Sequence, residues 1–288
     1  MKKNYFFSAV LAIAAAVACT EKGPVDFPIQ GDFTLYGENV SGQEVGVFVT
    51  SEGLPQTNLA YTAAEGEGAV ALTAKAEKAG FKQGNHTIYA YAPYAEGAEL
   101  TAVPVDYSKQ STVAFDPLAD DEILAGLMLS YNSTAQSVLY ATTEVTELSS
   151  AAITLPFAAV NPLTEVTVGE PGLEGTNANA QEGKKVTKIV VTCDKPIAYT
   201  GQTLDLTTGK LVGGTAVNSI EIAADMTVKK MGYVTANGFT FKTCLTEEEV
   251  ATAKFKIEMV METGKTYAAE DKTPSYGGIY ALTLTEVE

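Results

Sequence analysis

Three observations predict an all-β protein built as two tandem β-sandwich domains. Apolar and polar residues alternate in one short run after another, as in Glu44–Thr50, where Val45, Val47 and Val49 share one face and Phe48 takes the other. Clusters of Gly, Asn, Pro and Thr separate the runs, as the turns of a two-layer β protein require. Past the leader, no segment keeps a 3.6-residue apolar period for more than a few turns, which excludes a helical bundle or a doubly wound α/β fold. The 288 residues suffice for two cores at roughly 150 residues per domain.

In chain order, strand text begins at Asp32, with Glu44–Thr50 its first well-marked run. Gly66-Glu67-Gly68 turns the chain into a strand over Ala69–Thr73, and Ala74–Gly80 is expected to be a helical turn stopped by its glycine. His86–Tyr94 is rich in β-formers and is halted by Pro93. Ser111–Phe115 and Ser137–Glu147 follow as strands, with Asp120-Asp121-Glu122 between them leading into Ile123–Ser130. The pattern restarts at Leu155-Pro156, which places the domains at residues 32–155 and 156–288. Leu163–Val168 is strand-like and Gly169–Gly183 is loop. Lys184–Cys193, Ser219–Ala223, Phe239–Thr243, Lys254–Met261 and Ile279–Thr285 then supply strands, with turns at Thr207–Lys210 and Gly213-Gly214. Thr246–Lys254 is the one later stretch with helical character. In the final strand Tyr280, Leu282 and Leu284 share a face, as in an ordinary closing strand of the second sandwich; a strand donated about the Gly277-Gly278 pair is the competing reading.

The formal charge is −16, which disfavours nucleic acid and anionic lipid head groups as partners through simple repulsion. All nineteen basic residues are lysine, so the chain has no guanidinium fork for phosphate or carboxylate and no site for an arginine-specific protease. It also lacks tryptophan, which weakens a sugar-stacking platform, although fourteen tyrosines offer a partial substitute. Cys193 falls on the inward face of its strand and Cys244, beside Lys242, on the outward face; thiols placed so argue against a disulfide.

Catalytic patterns are missing. His86 is the single histidine, so no multi-histidine metal site can form, and it reads as a solvent-facing or hydrogen-bonded residue at a strand start. There is no Gly-x-Ser-x-Gly elbow and no glycine-rich phosphate loop. Asp120-Asp121-Glu122 lacks the spaced carboxylates of a calcium loop and is expected to be a solvated turn. The chain reads as a non-enzyme without cofactor or metal.

The leader supplies the address. Lys2-Lys3 forms a cationic head, Tyr5–Ala18 is uncharged and apolar, and Ala16-Val17-Ala18 brings small residues up to Cys19. The run is too short for a permanent membrane span and has the layout of an export signal. A plain secretory leader needs only the small residues. The cysteine immediately after them resembles a bacterial lipobox, with cleavage between Ala18 and Cys19 and the thiol taking a diacylglycerol, palmitate being one expected acyl group. Residues 1–18 are thus expected to be a lipoprotein signal peptide, and residues 19–31, with Pro24 and Pro28, an extended tether. Its removal takes away Lys2 and Lys3 and no acid, leaving a charge of −18. The membrane contact would be the N-terminal lipid alone.

Several stretches together resemble the fimbrillin family, the type V pilin lipoproteins of Gram-negative anaerobes. They are the lipobox at Cys19; Ile88-Tyr89-Ala90-Tyr91-Ala92-Pro93-Tyr94, similar to a Tyr-x-Pro-Tyr strand end; and Asp121-Glu122-Ile123-Leu124-Ala125, similar to an Asp-x-Leu-x-Ala segment. Leu155-Pro156-Phe157 to Val168 sits where the family opens its second domain, with Asn161 near a position where histidine is common. Leu204–Gly209 and Gly278–Leu282 resemble its later turn and closing strand. The resemblance implies two transthyretin-like β-sandwiches, a place at the cell outer membrane and in fimbriae, and adhesion to a host or bacterial surface ligand. It also implies partners among other fimbrial subunits, joined by β-strand exchange after a protease removes the first strand. That strand is placed within Asp32–Thr50, where it is expected to contribute the Val45-Val47-Val49 face, and no basic residue stands between Lys22 and Lys75, so a protease specific for basic residues cannot remove it alone. Retention of the strand suits an anchor or accessory subunit. A surface glycan-binding lipoprotein of a polysaccharide uptake system is the alternative.

Overall fold

The computed structural model describes residues 34–51, 54–55, 57–79, 85–145, 152–175, 177–229, 232–234, 237–280 and 282–287. The protein is all-β. Its strands are β1 Thr34–Glu38, β2 Glu44–Ser51, β3 Leu54–Pro55, β4 Leu59–Ala63, β5 Ala69–Ala74, β6 His86–Ala92, β7 Val103–Val105, β8 Lys109–Phe115, β9 Ser130–Ser133, β10 Leu139–Val145, β11 Ala152–Pro156 and β12 Ala158–Ala159. They continue with β13 Thr164–Val168, β14 Gly172–Glu174, β15 Lys185–Cys193, β16 Ala198–Asp205, β17 Lys210–Val217, β18 Ser219–Thr227, β19 Phe239–Thr243, β20 Phe255–Met261, β21 Thr266–Lys272, β22 Gly278–Ile279 and β23 Thr283–Val287. One short helix, α1 Glu247–Val250, and a 3-10 turn over Ala178–Gln181 complete the described elements.

The first sheet runs β11-β1-β5-β4-β2-β6-β10-β12, with β3 on the end of β2. Its two ends, β11 and β12, are one piece of chain interrupted only by Phe157, so the sheet curls back on itself. Ala152–Pro156 pairs parallel to β1, and Ala158–Ala159 pairs antiparallel to β10. Closure leaves few backbone groups facing solvent. The alternation in β2 is realised: Val45, Val47 and Val49 fill the enclosed core with Leu35, Leu72, Ile88, Leu155 and Phe157, while Phe48 points out of it. On that outer face the Phe48 and Tyr91 rings stack at 6.3 Å. Gly46, opposite Tyr91 in the register, makes room for the ring, since a Cβ there would lie 2.1 Å from Tyr91 Cε1.

The second sheet runs β14-β23-β21-β20-β15-β18-β8-β9-β19-β13-β22 and also returns on itself, by a different device. Two pieces of chain, residues 164–174 and 278–287, lie parallel to each other at both ends of the sheet. β13 pairs with β22 and β14 with β23, and the corner between them is held by Gly169 N–H to Ile279 O (2.8 Å) and Gly172 N–H to Leu282 O (2.8 Å). Ile189, Val191, Ile220, Ile222, Phe239, Phe241, Phe255, Ile257, Met259 and Leu284 form its core, with Phe241 edge-on to Phe255 at 5.6 Å. A bulge in β15 between Val186 and Lys188 lets both Val186 and Ile189 face inward.

Strands β7, β8 and β9 precede the expected boundary at Leu155-Pro156, yet they pair with strands that follow it. β8 lies parallel to β18, β9 parallel to β19, and β7 joins β16 and β17 in a separate three-stranded sheet. Gln110 ties this excursion in place. Its side chain, 7% exposed, donates to Lys242 O (2.6 Å) and Tyr107 O (3.2 Å) and accepts from Lys242 N–H (3.0 Å) and Ser133 Oγ (2.8 Å). The Gln110 amide thus bridges β8 directly to β19, across the sheet position that β9 occupies between them.

Local expectations fail in two places. Ala74–Gly80 forms no helical turn over its described residues: Ala74 ends β5, and the buried Ala79 donates its N–H to Tyr61 OH (2.6 Å). Gly213-Gly214 is not a turn but lies inside β17, with φ of +66° and +91° opposite Gly201 at +65°. The hairpin turn is at Leu206–Gly209, where Asp205 accepts from the Thr207 N–H and hydroxyl.

Candidate functional site

Ala18 and Cys19, the expected cleavage and lipidation positions, lie outside the described residues, as do the signal peptide, the tether and the start of the first domain. The first described element is β1, an interior strand of the first sheet. It is wedged between two neighbours. Leu35↔Ile153 and Gly37↔Leu155 belong to its parallel ladder with β11, and Leu35↔Leu72 and Gly37↔Val70 to its antiparallel ladder with β5.

Only Leu35 and Gly37 face the core from β1. A Cβ at Gly37 would stand 2.5 Å from Val40 Cγ2 and 3.2 Å from Phe157 Cε2, so the absence of a side chain there lets the Phe157 ring close the corner. Asn39, with φ of +63°, turns the chain out of β1 and donates its side-chain amide to Phe157 O (3.1 Å). The surroundings of β1 on the core side are therefore apolar, with Leu35 buried in one cluster with Leu72, Leu155 and Phe157.

A second feature is the free edge of β17. Among the described strands that pair on one side only, it is the longest, and Leu211–Val217 carries no charge. The left-handed glycines at 213 and 214 kink it, a common way of blunting an exposed edge.

The polar clefts are shallow candidates by comparison. One of about 570 Å³ is lined by Asp106, Tyr107, Lys109, Gln110, Thr134 and Gln136, among others. Its aromatic residue presents no platform: Tyr107 is 6% exposed, and its hydroxyl donates to Asn161 Oδ1 (3.0 Å) and accepts from Val138 N–H (3.1 Å). Burial raises the Tyr107 pKa, against the opposing pull of these hydrogen bonds. Asn161 thus has a structural role, since its Oδ1 also accepts from Val138 N–H (3.1 Å).

Other singled-out residues are dispersed. His86 is buried at the start of β6, 3% exposed, so the solvent-facing alternative does not hold. Asp121 accepts from the Ile123 and Leu124 N–H groups (both 2.9 Å) in an exposed turn, and among the described residues no group of three or more ligating side chains stands together. Cys193 and Cys244 are free thiols; burial pushes the first up to about 11 and raises the second. No helix among the described residues is long and apolar enough to cross a membrane.

No family model matches the sequence, and no curated protein matches it. Among solved structures, the chain is similar to a candidate cell adhesion protein from Bacteroides ovatus (16% identity, TM-score 0.39, covering 89% of this chain and 96% of that one). It is also similar to a fimbrial assembly protein from Parabacteroides distasonis (14%, TM-score 0.32, 88% and 90%) and a fimbrial protein from Bacteroides ovatus (11%, TM-score 0.33, 90% and 50%). At these identities and TM-scores the similarity assigns neither family nor function.

Proposed function

We propose that this chain is a lipid-anchored, fimbrillin-like protein of the outer cell surface, acting as an anchor or accessory subunit of fimbriae. The observation that carries the reading is β1: a five-residue strand held by a ladder on each side, with Leu35 buried in the apolar core. Such a position accepts a replacement strand from a partner without disturbing the rest of the sheet, which is the physics of β-augmentation. The lipobox at Cys19 and the two transthyretin-like sandwiches implied by the family resemblance agree with it. In this reading β1 stays in place, because no basic residue lies between Lys22 and Lys75, and the subunit keeps both its groove closed and its lipid. Its partners are other fimbrial subunits and a surface ligand. A surface glycan-binding role has the polar cleft at Asp106 and Lys109 in its favour, but the buried Tyr107 leaves that cleft without a stacking face.

Mass spectrometry and N-terminal sequencing of protein taken from cells test the proposal. Diacylglycerol on Cys19 is expected, and Cys19→Ala should leave the protein unprocessed or released from membranes. A processed Cys19→Ala form that still fractionates with membranes overturns the anchor. A mature start between about Asp32 and Thr57 overturns the retained strand, on the strand-removal logic of such assembly. Glycan arrays with the soluble form, together with electron microscopy of cells with and without the protein, separate the fimbrial from the glycan-binding role.

A further inference from the structure

Large exposed apolar side chains are concentrated in one lobe. Of eleven such residues among the described ones, six lie between Val113 and Met128: Val113, Phe115, Ile123, Leu124, Leu127 and Met128, with Ile123 91% exposed. That density goes beyond the scattered hydrophobes of an ordinary surface and marks an interaction site.

The lobe between β8 and β9 is held in shape by its own polar groups. Asp116 accepts from Leu118 N–H (3.1 Å) and Gly126 N–H (2.5 Å), and Asp121 caps Ile123 and Leu124. Ala125 N–H reaches Asp121 O (2.9 Å), and Lys229 Nζ donates to Gly126 O (3.1 Å) from outside the lobe. Asp120 and Glu122 remain exposed at the rim. The apolar side chains are presented outward on a pre-shaped frame, so docking costs little ordering entropy.

We propose that this lobe is a docking surface for a protein partner whose apolar centre is ringed by lysine or arginine. An apolar centre with a charged rim is the anatomy of a protein interface, and the sign of the rim selects the partner. The acids at 120 and 122 favour a basic rim and repel anionic lipid head groups, which sets this surface apart from a membrane-binding face. The inference does not depend on the fimbrial reading.

Two synthetic amphipathic peptides of equal length test it by fluorescence anisotropy on the full chain, one with leucine and lysine, the other with leucine and glutamate. The leucine–lysine peptide should bind and the leucine–glutamate peptide should not. The Ile123→Ser/Leu127→Ser and Asp120→Lys/Glu122→Lys variants should each weaken binding about tenfold or more, as loss of interface anchors or of a complementary rim does. Asp121 is left intact because its carboxylate folds the lobe. Glu247→Lys/Glu248→Lys, which makes the same charge change on α1, should leave binding unchanged; equal loss there would reduce the effect to net charge and overturn the proposal. Binding indifferent to the lobe variants overturns it too. So does binding to phosphatidylcholine vesicles that disappears with Ile123→Ser/Leu127→Ser, which makes the lobe a membrane surface. Self-association that disappears with the same variant makes a second copy the occupant and likewise overturns it. All six substituted positions are exposed, and unchanged melting temperatures establish that the variants fold.

Discussion

The two large sheets solve the same problem, an unpaired edge, in different ways. The first closes with one strand that changes neighbours at Phe157. The second closes with two parallel pieces of chain, tied across their corner by Gly169 N–H to Ile279 O and Gly172 N–H to Leu282 O. A single strand leaves the closure dependent on one pinned side chain and on the ladders of β1. A doubled strand spreads it over Val166, Val168, Ile279, Leu282 and Leu284, all buried, and over backbone bonds across the corner. The first closure is local to β1, β11 and Phe157, whereas the second is distributed over two pieces of chain.

Removing the chain from Gly278 onward should therefore have the largest effect. It takes away β22 and β23 with the buried Ile279, Leu282 and Leu284, and strips β14 and β13 of their parallel partners. We expect the second sheet to lose cooperative unfolding altogether, while amides of β2 and β6 keep their hydrogen-exchange protection. A truncated protein that melts normally but fails to assemble would instead make the last strand a donated one. Loss of protection in β2 and β6 would show that the excursion of β7 to β9 welds the two sheets into one cooperative unit.

Phe157→Ala probes the other closure. Phe157 is 3% exposed and packs against Gly37, and truncating a buried phenylalanine typically costs about 3–5 kcal/mol. Denaturant unfolding should register that loss in the first sheet only, with β1 amides exchanging fastest. If both sheets weaken equally, the corner is not the local pin described above.

Much of this was legible beforehand, and the reasons for the remainder are physical. The two sides of β2 could be read because a period of two separates Val45, Val47 and Val49 from Phe48, although both sides are buried; in β19 the alternation is weaker, Thr240 being buried along with Phe239 and Phe241. The same logic placed Cys193 inward. Gln110 could not be read, since its role depends on a strand 132 residues away. Gly213-Gly214 was misread because a left-handed glycine pair looks alike in a turn and in a kinked edge strand. The lobe at Ile123–Met128 was hidden for the opposite reason: apolar letters predict burial, and sequence alone does not reveal where they stay exposed. Of the candidate assembly site, the reading of the first strand rested on the Val45-Val47-Val49 face, which belongs to β2; β1 at Thr34–Glu38 and its parallel partner β11 were not foreseen.

The cysteines give a smaller test of the same inside–outside reading. At pH 8 a thiol whose pKa is held near 11 by burial is almost wholly protonated, so Cys193 should react with a thiol-specific disulfide reagent only on unfolding. Cys244, only partly buried, should react first but slowly, its own pKa being raised by burial. Fast reaction of Cys193 in the native protein would contradict its inward placement.

The smallest expected effect is at α1, where the second sheet is joined by a local rather than a long-range device. Thr246 and Glu249 form a capping box: Glu249 N–H donates to Thr246 Oγ1 (3.2 Å), and Thr246 N–H donates to the Glu249 carboxylate (2.9 Å). Lys195 Nζ meets the other end of the helix at Glu249 O (3.1 Å). Thr246→Ala should cost about 1 kcal/mol, the usual worth of an N-cap, without altering either sheet closure. The Glu249 pKa is lowered, first by the Thr246 backbone donor and then by its hydroxyl. A depressed folded value means that the carboxylate's contribution is fully present above its unfolded value and is lost as the pH falls through the folded one. The capping contribution should therefore fade below about pH 4.5 and be flat above it. Hydrogen exchange at the Glu249 amide, measured from pH 6 downward in wild type and Glu249→Gln, should converge at the acid end. A gap between the two that persists to the lowest pH would mean that the carboxylate's charge has no part in holding the cap.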